Sequence, residues 1–159
     1  MKNTLKVTTP NDFDIVMTRE FDAPRKLVWD AHTKPELVQK WLLGPPGWTM
    51  PICEIDLKVG GKYRYVWHSD KKNKDMEMGG EYREITTHEK IVATEWFKDA
   101  WYPGEAIDTT TFVEQGKKTV LTLTMRLATK EARDGIIATG MESGVAISYD
   151  RLDEILAAQ

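Results

Sequence analysis

The chain has a single cysteine, Cys53, among its 159 residues. It can close no internal disulfide and offers no cysteine cluster for zinc, and a lone thiol suits a reducing compartment. Histidine is nearly as scarce. His32, His68 and His88 lie far apart, with neither an H-x-x-x-H nor a C-x-x-C spacing, so no metal site is expected; His32 and His88 read as surface histidines. No stretch approaches the roughly 18 apolar residues of a membrane span, and the opening MKNTLKVTTPNDFD lacks the apolar core of a secretion signal. A basic excess is also missing: 22 Lys and Arg stand against 25 Asp and Glu, for a net charge of −3, which argues against nucleic acid as a partner. The run Lys71-Lys72-Asn73-Lys74 reads as a solvated loop tip. No glycine-rich loop has the pattern that cradles phosphate. Ser143 sits inside a helical pattern and not on a nucleophile elbow. The expectation is a cytoplasmic protein without a cofactor.

What is present is a globular balance, 41% hydrophobic and 30% charged, which at this length makes one domain. Residues 1–11 read as a flexible N-terminal arm and 12–159 as the domain. Its organising stretch is Thr129 to Gln159, where Ile137, Met141, Val145, Tyr149, Leu152 and Leu156 recur at helical steps. Thr129 is placed to cap it, with Glu131 and Asp134 near the positive end of the dipole. Read as one helix, it is about 40 Å long. Gly140 and Gly144 interrupt it, each at a cost of about 1 kcal/mol against alanine. Close packing of helix on sheet, or room for a ligand between them, would account for that cost.

Ahead of this helix the pattern is mostly of strands. Residues 12–21 alternate, with Phe13, Ile15, Met17 and Phe21 on one face. Asp22-Ala23-Pro24 opens a short helix to about Ala31. Thr33-Lys34-Pro35-Glu36 has the form of a capping box for a second helix, with Leu37, Val38, Trp41 and Leu42 as its apolar side. After Gly44-Pro45-Pro46-Gly47, strands are expected over 52–57, 62–68, 77–86, 91–98, 107–114 and 119–126. Their short connections imply antiparallel neighbours. Strand, two short helices, six strands and a long helix make an α+β protein.

Several signatures resemble SRPBCC (START-like) proteins, in the branch named after the activator of the heat-shock-protein-90 ATPase. They are Phe21-Asp22-Ala23-Pro24-Arg25-Lys26-Leu27-Val28-Trp29-Asp30-Ala31 with Trp41 before Gly44-Pro45; Asp56-Leu57-Lys58-Val59-Gly60-Gly61-Lys62-Tyr63-Arg64; Gly79-Gly80-Glu81-Tyr82-Arg83-Glu84-Ile85; and Gly140-Met141-Glu142-Ser143-Gly144 followed by Tyr149-Asp150-Arg151-Leu152. The resemblance spans roughly residues 13 to 157. It implies the helix-grip fold, a seven-stranded antiparallel sheet wrapped around the C-terminal helix with a cavity between them. It implies a function less narrowly, since such proteins include carriers, cyclases and co-chaperones. Leu42-Leu43 stand where many relatives carry a second tryptophan, so the shape of the cavity is not carried over.

Six tryptophans are many for this length. Trp67 and Trp96 fall on strands beside Tyr63 and Tyr65. Trp41, Trp48 and Trp101 flank loops that would rim a cavity, whereas Trp29 reads as core. Met78 and Met141 add adaptable apolar surface, and Met17 and Val145 face inward from the first strand and the last helix. These eleven residues are the candidate ligand contacts. Glu95, embedded in IVATEWF, and Glu142, beside Met141, are the only candidate acids or bases. The plainer expectation has Glu95 facing solvent and Glu142 paired with a cation. The resulting expectation is a binding protein for a hydrophobic or aromatic small molecule. The alternatives are a cyclase- or hydrolase-like enzyme using a cavity acid, and a chaperone-interacting module. The last is the less favoured, because the additional N-terminal domain of the eukaryotic co-chaperones has no room here.

Overall fold

The computed structural model describes residues 4–159. Strand β2 (Asp14–Phe21) sets the inner face of the sheet, because Ile15, Met17, Arg19 and Phe21 alternate into the interior and are almost wholly buried. The chain then leaves β2 through α1 (Arg25–Thr33) and α2 (Pro35–Trp41) and starts again at the far edge with β3 (Trp48–Ile55). From there it winds back, strand by strand, through β4 (Lys62–Ser69), β5 (Lys74–Thr86), β6 (Lys90–Phe97), β7 (Ala106–Gln115) and β8 (Lys118–Arg126). β8 closes the meander by pairing with β2, and every neighbouring pair is antiparallel. Helices α3 (Lys130–Ala138) and α4 (Met141–Ala157) complete the chain.

The expected α+β architecture is present, with α4 lying against the inner face. Tyr149, Leu152 and Leu156 of α4 join Phe21, Phe112 and Leu121 from the sheet and Val28, Trp29 and Trp41 from the short helices in one cluster. Each large side chain buried there contributes about 1.5–3 kcal/mol. Two more clusters line the interior. One gathers Ile15, Met17, Ala106 and Met125, and the other Val38, Met50, Tyr63, Tyr65, Tyr82 and Ala93.

The structure corrects the expected architecture in several places. The sheet has eight strands, not seven, because Lys6–Thr8 of the supposed flexible arm forms β1 and pairs with Val16–Thr18 of β2. That pairing gives partners to backbone groups that would otherwise form an open sheet edge. Residues 1–3 lie outside the described part of the chain. The C-terminal helix is two helices. Gly140, with φ +78°, adopts the left-handed conformation that a helix interior does not allow, and so it ends α3 and starts α4. Thr129 caps α3 as expected, accepting a hydrogen bond from the Ala132 N–H. Thr33 does not cap α2. It belongs to the last turn of α1, where its hydroxyl donates to the Trp29 carbonyl, and Lys34 occupies the cap position.

Candidate functional site

Two carboxyl groups are built into the inner face of the sheet, at the boundary between two of the apolar clusters. Glu95 lies directly across from Ala106, and Asp108 directly across from Ala93. Each acid therefore faces a methyl group, and the two acids meet on the diagonal of the β6–β7 ladder. Glu95 is only 4% exposed. Asp108 is half-buried as a residue, and its Oδ1 is shut off from solvent. Burial pushes both carboxyls above their ordinary range, Asp108 well above it. The hydrogen bond between them holds Glu95 back, while the charge of Glu95 pushes Asp108 further up. Carboxylates in contact do not ionise together readily, so the pair shares a proton.

Tyrosines surround this pair from several elements. Burial is the main cause that raises the phenol pKa of Tyr63 and Tyr65 on β4 and of Tyr102 in the β6–β7 connection; the negative charge of the carboxyl pair adds to it, after Tyr82 and Cys53 in the case of Tyr65. Asp108 acts in the same direction on Tyr149 of α4, whose pKa burial has already raised, while Arg19 acts against it. Strand, loop and helix thus converge on one carboxyl pair. Tyr63 is anchored by its hydroxyl, which donates to the Thr94 carbonyl at 2.7 Å. The Tyr63, Tyr65 and Tyr82 rings pack at tilted angles beside it.

The structure divides the candidate contacts foreseen from sequence. Tyr63, Tyr65, Trp67 and Met78 come together on one side of the carboxyl pair, and Met17, Met141 and Val145 on the other. Trp67 also ties β4 to the end of α2, since its Nε1 donates to the Leu42 carbonyl at 2.7 Å. The remaining tryptophans sit elsewhere. Trp96 lies on the face of β6 opposite Glu95, with its ring over Gly79, where a Cβ would overlap it. Trp41 is core and not rim: its Nε1 donates to the Ala31 carbonyl and its ring stacks on Tyr149 at 5.8 Å. Trp48 lies under the Lys72 ammonium, 5.9 Å from ring centroid to Nζ. Trp101 is 62% exposed and lies across Gly135 of α3, where any side chain would occupy the space of its indole.

The two candidate acids part company. Glu95 is buried, against the expectation that it faces solvent, because Ala106 opposite leaves room for it and Asp108 shares a proton with it. Glu142 is exposed in the first turn of α4 and lies outside the interior. Neither helix glycine opens space toward the sheet: Gly140 breaks the helix, and Gly144 faces Pro45 in the α2–β3 loop. His32 is not a surface residue. Its ring packs between Trp41 and Phe112, and desolvation lowers its pKa to about 4. Burial, helped by Glu36 and Glu54, pushes the Cys53 thiol up to about 11, which leaves it a poor nucleophile.

Sequence reasoning missed Asp108 and Arg19. Arg19 shares the inward parity of Ile15, Met17 and Phe21, and a charge at such a position is itself a signal of a buried ion pair. It bonds Asp150 at 3.1 Å and Asp153 at 2.8 Å, joining β2 to α4. Two surface hollows lie away from the interior. One, of about 330 Å³, is bordered by Phe13, Ile107 and Arg126. The other, of about 260 Å³, is acidic and is bordered by Asp22, Asp150, Asp153 and Glu154. Among the described residues, no group of His, Cys, Asp and Glu side chains could hold a metal ion, and no helix is long and apolar enough to cross a membrane.

The sequence model of one family, described as "Activator of Hsp90 ATPase homolog 1-like protein", matches residues 22–157. The chain belongs to that family. Solved structures agree on the fold. A protein from Rhodobacter sphaeroides, 26% identical, superposes with a TM-score of 0.92 over 98% of this chain and 99% of its own. One from Chromobacterium violaceum, 27% identical, gives 0.80 over 93% and 98%. An HSP90 activator from Plasmodium falciparum, 21% identical, gives 0.60 over 84% and 91%, a likeness of fold alone. Among curated proteins none matches. The family's helix-grip layout is the one described above, extended here by β1 and with its C-terminal helix divided at Gly140.

Proposed function

We propose that this chain is a cytoplasmic binding protein that holds a hydrophobic or aromatic small molecule between the sheet and α4. The observation that carries this reading is the Glu95–Asp108 pair set between two apolar clusters, one with Tyr63 and Tyr65 and the other with Met17 and Met125. Apolar walls with a few convergent polar groups are what a small-molecule site requires. Native mass spectrometry of the freshly purified protein, followed by tryptophan fluorescence titration of any mass found, tests it. A co-purifying compound that quenches emission saturably supports the reading. A clean protein mass, with no quenching across lipids, flavonoids and aromatic amines, counts against it.

The same carboxyl pair supports a second reading, a cyclase- or hydrolase-like enzyme. A carboxyl that keeps its proton near neutral pH is poised to act as a general acid. Loss of turnover with retained binding in Glu95→Gln would favour that reading; unchanged turnover would remove it. A chaperone partner has the support of the fold shared with the Plasmodium falciparum HSP90 activator, and of no feature particular to these residues.

A further inference from the structure

We propose that the β4–β5 hairpin is a proton-operated clasp: the imidazolium of His68 ties the turn to β5, and loss of its proton lets the turn go. The clasp lies near the β3 edge of the sheet and is independent of what the interior holds.

His68 stands on β4 with both ring nitrogens against carboxylates. Nδ1 lies 2.5 Å from Oδ1 of Asp75, directly across the ladder on β5. Nε2 lies 2.8 Å from Oδ1 of Asp70, in the turn. A carboxylate offers only acceptors, and a neutral imidazole has a single N–H, so it could serve one of the two. Both contacts together require the protonated ring. The hydrogen bond to Asp75, and after it the one to Asp70, raises the His68 pKa above its ordinary 6.5, so the proton is held where a free histidine releases it.

The surrounding charges leave the ring to these two partners. On β5 the next acid along the same face, Glu77, is bonded to Arg64, which also holds Glu54 of β3. Across from His68 on β3 stands Thr49, which is uncharged and donates to the His68 carbonyl. Lys71, Lys72 and Lys74 oppose the imidazolium charge, and the two carboxylates outweigh them.

The two ties differ in what else holds them. Asp75 is fixed by strand register, whereas the Asp70 side chain is 99% exposed. Loss of the proton therefore releases Asp70, and with it the turn. Within the turn the Lys72 N–H donates to Ser69 Oγ and the Asn73 N–H to the Asp70 carbonyl. Lys72 lies over the Trp48 ring of β3, with its Nζ 5.9 Å from the centroid. Opening the clasp withdraws that cation from the indole on the neighbouring strand.

Nuclear magnetic resonance of the intact protein, titrated from about pH 5 to about pH 9, tests the clasp through the His68 ring and the Trp48 indole N–H. His68→Gln and Trp48→Phe identify the two signals. The His68 midpoint is expected above 6.5, with the Trp48 signal moving at the same midpoint. In His68→Gln the Trp48 signal is expected to stay still across the range. Asp70→Asn lowers the His68 midpoint and holds Trp48 at its high-pH position throughout. A wild-type His68 midpoint at or below 6.5 overturns the clasp. So does a Trp48 signal that ignores His68, or one that follows it unchanged in Asp70→Asn. The wild-type readings decide the matter even where a variant fails to fold.

Discussion

Arg19 and Asp153 meet at 2.8 Å across the space between β2 and α4, from an arginine that is 1% exposed. Asp150 accepts a second bond from the same guanidinium at 3.1 Å. The arginine comes from the second strand in the chain and the aspartates from its last helix, so the pair closes the molecule from end to end. Burial raises the Asp153 carboxyl against the attraction of Arg19, so desolvation offsets part of what the ion pair gains. Arg19→Ala is expected to lower the unfolding free energy by about 2–4 kcal/mol, less than for a fully buried pair because both aspartates keep some contact with water. Arg19→Met, which fills the space without the charge, should cost about 1 kcal/mol or less. Urea denaturation of both variants measures the difference. Equal losses would show that packing, and not an uncompensated charge, governs the site.

The acid pair predicts a gain of stability on mutation. Asp108→Asn removes the titration of a carboxyl whose pKa the fold raises, and it should stabilise the empty protein at neutral pH by about 1–3 kcal/mol. The sign follows from proton binding. A carboxyl with a raised pKa holds its proton in the folded state over a pH range where the unfolded chain has released it. Its contribution is fully present at acid pH and is lost as pH climbs toward the folded pKa. Wild-type stability should therefore fall on raising the pH from about 4 toward neutrality relative to Asp108→Asn, as melting curves at stepped pH would reveal. Parallel pH profiles for the two proteins would contradict the buried pair.

His32 works in the opposite direction. Its pKa is lowered from 6.5 to about 4, so the folded state excludes a proton that the unfolded chain accepts. Stability is lost as pH falls from 6.5 to 4, by roughly 1–3 kcal/mol. His32→Leu should remove this acid-side slope and leave the slope that the carboxyl pair sets. If the variant retains the full slope, the ring is not held neutral by burial.

Gly135 and Trp101 give a prediction readable in fluorescence. A methyl group at position 135 would occupy the space of the indole, and the ring is already largely exposed and free to swing away. Gly135→Ala should shift the Trp101 contribution to longer wavelength, measured as the difference from Trp101→Phe. It should change stability by less than about 1 kcal/mol, because surface substitutions away from the core have small effects. Gly140→Ala differs: space is available, but φ of +78° is not, and about 1–2 kcal/mol should be lost.

Apart from β1 and the division of the last helix at Gly140, the order of elements, the antiparallel meander and the inner face of β2 could be read from periodicity and turn lengths. Helix α4 could be read because Val145, Tyr149, Leu152 and Leu156 keep helical step. The acid pair could not. In β6 both parities are apolar, with Ile91, Ala93 and Phe97 set against Val92 and Trp96, so periodicity assigns Glu95 to neither face. In β7 the run Asp108-Thr109-Thr110-Thr111 carries no hydrophobic signal, and only Phe112 indicates that Asp108 points inward. The pairing of these acids with Ala106 and Ala93 depends on cross-strand register, which no single strand encodes. Arg19 was within reach of the pattern, but the identity of its partners, some 130 residues away, was not.

The left-handed residue at Gly140 divides the C-terminal stretch into two helices secured by different contacts. α4 is secured by Arg19, by the stack of Trp41 on Tyr149 and by Ser148, whose Oγ accepts the Gly44 N–H. α3, on the other side of the glycine, is held by Arg133, which donates to the Asn11 carbonyl, by Ala132 and Ile136 packed against the cluster around Met17, and by one exposed indole. Amide hydrogen exchange should find the fastest backbone opening around residues 98–105 and 137–141 and the slowest in the second half of α4, where Arg19, Trp41 and Gly44 hold it; the reverse order would show that these contacts do not govern local opening.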